Sequence, residues 1–170
     1  MAGGALLCWL LAGQGAMSPY QGQETREIKA LSQAEVQGYL GGEGMGLAKA
    51  AELNSYPGPK HVLELAEALG LAPAQRAAVQ ASFDAMRARA ADLGVRLVDQ
   101  ERRLDRLFAE GRIDPQALEE LTAGISRLAG QIRHAHLLAH LETRAVLTPA
   151  QIDEYRRRRG YDSGGHRHVP

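Results

Sequence analysis

Apolar residues recur at alternating steps of four and three along two long stretches of this chain, and few folds accept that pattern. In the first stretch Val79, Phe83, Met86, Ala90, Leu93, Leu97, Leu104 and Leu107 keep the spacing, with Gln100 at one seam position. In the second, Leu118, Leu121, Ile125, Leu128, Ile132, Ala135 and Ala139 keep it. Such a repeat draws one apolar stripe along a helix and asks for a second helix to cover it. Between the two, Glu110-Gly111-Arg112-Ile113-Asp114-Pro115 breaks the pattern, with Asp114 suited to an N-cap and Pro115 to the first helical position. A connection this short makes the helices antiparallel neighbours. The expected class is therefore all-α, a long antiparallel helical hairpin with short flanking helices. Its first rod, from Pro73 to about Ala109, would be about 55 Å long. Aromatics at 5% and sparse β-branched residues agree with that choice.

The rest of the chain divides around this hairpin. Residues 1–16 hold the uncharged run Ala5-Leu6-Leu7-Cys8-Trp9-Leu10-Leu11-Ala12, which reads as a signal peptide too short to span a bilayer. Cleavage would remove Cys8, the one cysteine, so the expected product is periplasmic and without a disulfide. Residues 17–59 form a flexible, glycine-rich segment closed by Tyr56-Pro57-Gly58-Pro59. Within it, Ser32 and Glu35 make the pattern of a capping box for a short helix over 32–40, ended by Gly41. Residues 60–161 are the helical domain. It opens with a helix of about ten residues carrying Val62, Leu65, Ala66 and Leu69, which Gly70 stops. Residues 162–170 read as a disordered tail, whose His166 and His168 are solvated rather than site-forming.

Two segments begin helices in the same way: Leu71-Ala72-Pro73-Ala74-Gln75 and Leu147-Thr148-Pro149-Ala150-Gln151. A paired Leu-Thr-x-x-Gln element separated by a long helical hairpin resembles the Spy/CpxP family of small periplasmic stress proteins. Ala72 departs from the pattern, standing where the family has threonine. The physical role of Leu71, Pro73, Gln75, Leu147, Thr148, Pro149 and Gln151 is structural: the leucines pack back onto the hairpin, Thr148 caps the last helix, and the glutamines bond near helix starts. The resemblance implies a bent hairpin that dimerises into a thin cradle for unfolded or misfolded clients in envelope stress. A two-helix hairpin buries its own apolar surface poorly, which independently points to a homodimer.

Chemistry-bearing residues are few. His136 and His140, four apart on the second long helix, share a face beside the Ile132 stripe, while His134 points nearly the opposite way. Two histidines at that spacing can hold one metal ion, with His61 and Glu64, or a dimer mate, completing the site. The alternative is that they are boundary residues with apolar bodies and wet tips. The metal-sensing branch of the family is similar in using a long-helix histidine with ligands from an earlier helix. That implies a divalent ion such as nickel, cobalt, copper or zinc, and a membrane-bound signalling partner. Gln100 in the seam is expected to fix register. Charges such as Asp92, Arg96, Arg102 and Asp105 are expected on a solvated outer face.

Several classes are excluded. The formal charge of +0 leaves no basic excess for nucleic acid. The glycines of 41–46 lack the lysine of a phosphate loop, and no nucleophile–base set is present, so no enzyme is expected. The first expectation is thus an ATP-independent chaperone of the Spy/CpxP type; the alternative is a periplasmic heavy-metal sensing or resistance module. A plain interaction subunit whose seam receives a partner helix is a third reading.

Overall fold

The computed structural model describes residues 17–161, which form helices, turns and loops with no strand among them. The expected signal peptide with Cys8 and the tail with His166 and His168 lie outside the described residues. Helices run in the order α1 (Gln33–Gly41), α2 (Lys49–Glu52), α3 (Pro59–Glu64), α4 (Pro73–Ala109), α5 (Pro115–Val146) and α6 (Pro149–Arg158). The 37 residues of α4 and the 32 of α5 lie side by side as the expected hairpin. Its turn is made as the sequence demands. Gly111 takes a left-handed φ of 64°, the Arg112 amide reaches back to the Leu107 carbonyl at 2.9 Å, and Asp114 accepts from the Ala117 amide at 2.8 Å.

The buried stripe departs from the heptad reading toward the open end of the hairpin. On α5 it runs through Leu121, Gly124, Leu128, Ile132, His136, Ala139, His140 and Thr143, whereas Ile125 and Ala135 are only partly buried. A straight helix of 3.6 residues per turn drifts about 20° per heptad against a 3.5 repeat. The drift carries the two histidines inward, so they are core residues rather than boundary ones.

The glycine-rich segment 17–59, expected to be flexible, lies along the hairpin and covers that drifted face. Ile28 is buried, and Leu31, Tyr39 and Leu47 pack against Ala90, Leu93, Leu97, Leu128 and Ile132. The Ser32–Glu35 capping box forms, and the helix ends at Gly42, one residue later than expected, with φ 64°. Close approach depends on Gly94: a Cβ there would lie 2.1 Å from the Tyr39 carbonyl oxygen. Two of the outward charges are engaged rather than simply solvated. Asp105 accepts from both the backbone and the side-chain nitrogen of Lys29 at 3.0 Å, and Arg102 bonds Glu27 at 2.8 Å.

A second core closes the open end, where Val62, Leu69, Val79, Leu147 and Tyr155 meet, with Leu71 and Ile152 at its edge. The helix expected after Pro59 is shorter than ten residues. Past Glu64 the chain continues as turns, and at their end Gly70, at φ 58°, lets the Leu71 amide bond the Ala66 carbonyl at 3.0 Å. Val62, Ala66 and Leu69 nevertheless reach the core. No helix among the described residues is long and apolar enough to cross a membrane.

Candidate metal centre

His136 and His140 are 4% and 8% exposed, on the wall of a cavity of about 540 Å³ between α5 and the glycine-rich segment. The cavity exists because the loop over 41–46 is short of side chains. At Gly44, a Cβ would stand 4.0 Å from His136 Nδ1, and at Gly58 it would crowd the His140 ring at 2.9 Å. Met45 in that loop carries a φ of 42°, an uncommon conformation for a residue with a side chain.

The two imidazoles are held differently. His140 Nδ1 lies 2.7 Å from the Tyr56 carbonyl oxygen, which can only accept, so Nδ1 carries the proton and the neutral ring offers Nε2. Tyr56 is fixed in turn by Arg144, whose guanidinium sits 4.5 Å over its ring and also donates to the Ser55 carbonyl. His136 Nε2 is buried with no hydrogen-bond partner among the described residues. Burial pushes the His136 imidazole below its ordinary pKa; the nearby His140 adds to this, and a backbone hydrogen bond with Glu43 works against it. His136 is thus kept neutral, the state in which an imidazole can ligate.

His61 lines the same cavity, but its Nδ1 is 2.9 Å from Glu64 Oε2, and this bond holds the Glu64 carboxyl below the usual carboxylate range. Glu64 is therefore paired with His61 rather than with the α5 histidines. Among the described residues, no three His, Cys, Asp or Glu side chains are grouped closely enough to hold an ion. His136, His140 and His61 line one cavity without forming a ligand group, and Glu64 is not among its lining residues.

A carboxylate with no signal in the sequence also lines the cavity. Glu52, at the end of α2, lines the cavity with its side chain 14% exposed, and its Oε2 is 3.8 Å from His140 Nδ1. Nothing in its sequence neighbourhood marks it, since its partners come from 58, 140, 155, 159 and 161. The structural motif residues lie apart from this cavity. Pro73 and Pro149 occupy first-turn positions, Thr148 accepts from the Gln151 amide at 3.3 Å, Leu147 is in the core, and Leu71, Gln75 and Gln151 are partly buried beside it.

No curated protein and no solved structure matches the chain. A family model described as heavy-metal resistance matches residues 44–154, which include the hairpin, both α5 histidines, His61 and Glu52. The match spans well over half of the sequence and agrees with the helical hairpin and its paired helix starts. The chain belongs to the heavy-metal resistance family, one of the Spy/CpxP-like helical families.

Proposed function

We propose that this protein binds a divalent transition-metal ion in the cavity beside α5, using His136 and His140, and serves a periplasmic metal-sensing or resistance role rather than catalysis. The observation that carries the reading is His136 Nε2, a buried nitrogen without a partner among the described residues, in the wall of the cavity. An orphaned group of this kind costs about 1–3 kcal/mol, a penalty that a ligand relieves. His140 supports it, because the Tyr56 carbonyl fixes its tautomer as the second shell of a metal site does. Imidazole nitrogens suit nickel, cobalt, copper and zinc over calcium or magnesium.

Calorimetric titration of the metal-free protein with each of these ions tests the reading. Stoichiometric binding that disappears in His136→Leu and in His140→Leu is expected; undiminished binding in both variants would overturn it. Holding of non-native chains is the second reading, favoured by Leu138 and Leu141, which are 42% and 53% exposed on one side of α5. Suppression of client aggregation by the His136→Leu protein would separate the two.

A further inference from the structure

We infer that metal binding clamps residues 43–58 onto α5, because the backbone carbonyls that orient His136 and His140 both belong to that segment; the inference rests on the metal reading above. His140 Nδ1 donates to the Tyr56 carbonyl at 2.7 Å. His136 makes a backbone hydrogen bond with Glu43 that favours the charged ring, so the ring donates and a carbonyl accepts. Because its Nε2 has no partner among the described residues, that bond is made by Nδ1, the nitrogen that faces Gly44. Both rings thus hold the segment through Nδ1 and keep Nε2 for an ion.

A cation at Nε2 draws electron density from the imidazole and makes the opposite N–H a stronger donor. Each neutral hydrogen bond then becomes charge-assisted, shorter and roughly twice as strong. One ion on His136 and His140 strengthens both bonds at once, near the two ends of the segment. Without the ion the segment is poised to open. Met45 and Ser55 sit at φ 42° and 67°, conformations that cost a residue with a side chain free energy and lower the segment's resistance to local opening. Arg144 of α5 grips the Tyr56 end, its guanidinium 4.5 Å over the Tyr56 ring and donating to the Ser55 carbonyl. Met45 and Leu53 are exposed on the segment, so filling a buried cavity steadies an outer surface.

Coupling of this kind is reciprocal: what loosens the segment must weaken metal binding. Zinc and nickel are the probes. With saturating zinc, hydrogen exchange of the whole protein is expected to slow about tenfold or more at the amides of 43–56 and to stay constant in the turn between α4 and α5. Arg144→Ala frees the Tyr56 end while keeping both imidazoles and both carbonyls, and is expected to weaken zinc binding about fivefold. Slower exchange confined to α5, which two bound side chains on one helix would give by themselves, overturns the clamp and leaves the metal site standing. Unchanged or tighter zinc binding in Arg144→Ala does the same. If that variant does not fold, the exchange pattern of the parent protein decides alone. Failure of the parent protein to bind either ion overturns both the clamp and the metal site.

Discussion

The carboxamides of Gln75 and Gln151 donate to one another, Nε2 of Gln75 to Oε1 of Gln151 at 2.9 Å and the reverse at 3.1 Å, so the starts of α4 and α6 are joined side chain to side chain. Each Oε1 also accepts the amide of its own helix's N-cap residue, Ala72 at 3.0 Å and Thr148 at 2.9 Å. Each Nε2 makes a further bond across the junction, Gln75 to the Val146 carbonyl at 2.7 Å and Gln151 to the Leu69 carbonyl at 3.3 Å. Two copies of one helix-starting pattern thereby clamp the open end of the hairpin. A glutamine suits both positions, because its carboxamide accepts at Oε1 while Nε2 has two N–H bonds to donate.

Removing either glutamine should cost more than removing an ordinary surface hydrogen bond. Gln151→Ala leaves the Gln75 amide and the Thr148 N–H to find new partners, and a loss of about 2 kcal/mol is expected from urea denaturation. Gln75→Ala should cost a similar amount. The double variant should cost clearly less than the sum, since both substitutions break the same pair. Additive losses would show that the pair is not a unit.

The incomplete copy can be completed. Ala72 has β-region φ and ψ of −62° and 151° and is exposed, but it has no oxygen to accept the Gln75 amide as Thr148 does for Gln151. Ala72→Thr is expected to stabilise the protein by about 1 kcal/mol and raise its Tm by about 2–4 °C. A Tm that falls or stays fixed would contradict the capping account.

Two glycines of the hairpin should respond differently to alanine. A Cβ at Gly94 would meet the Tyr39 carbonyl of α1 at 2.1 Å, a backbone atom that moves only if α1 moves. A Cβ at Gly124 would meet Gln100 Oε1 at 2.3 Å, the end of a flexible side chain. Gly94→Ala should therefore cost about 3 kcal/mol and raise hydrogen exchange throughout α1, and Gly124→Ala about 1 kcal/mol with α1 intact. Gln100→Ala should rescue the second substitution and not the first.

The hairpin was legible because its information is periodic and local: the stripes, the Asp114-Pro115 start and the Gly111 break all act within a few residues. The histidine pair was legible as a pair, since i and i+4 share a face in any helix. Their burial was not, because it depends on drift along α5 and on the packing of 28–47 across it. Glu52 was invisible for a stronger reason. Its carboxylate gains meaning only when Tyr155 and Tyr161, about a hundred residues away in sequence, fold back beside it. The distances of 103 and 109 residues carry no spacing rule a reader could apply.

His136 is where stability and function should part. Its buried Nε2 has no partner, so His136→Leu removes an unsatisfied polar atom and is expected to stabilise the metal-free protein by about 1 kcal/mol; the Glu43 loop is exposed, so water can take over its lost bond. The parent protein should also be acid-sensitive in a way the variant is not. Because burial lowers the imidazole's pKa in the folded state, the unfolded chain binds the proton first as pH falls below about 6.5. Stability is then full above that pH and declines from there down to the folded pKa, by at most about 1.4 kcal/mol per pH unit. Urea midpoints compared between about pH 7.5 and about pH 5 should fall further for the parent than for His136→Leu, leaving at the upper pH only the variant's pH-independent gain. Equal acid sensitivity in the two proteins would mean that His136 binds its proton alike in the folded and unfolded chain, so that burial does not hold the imidazole neutral.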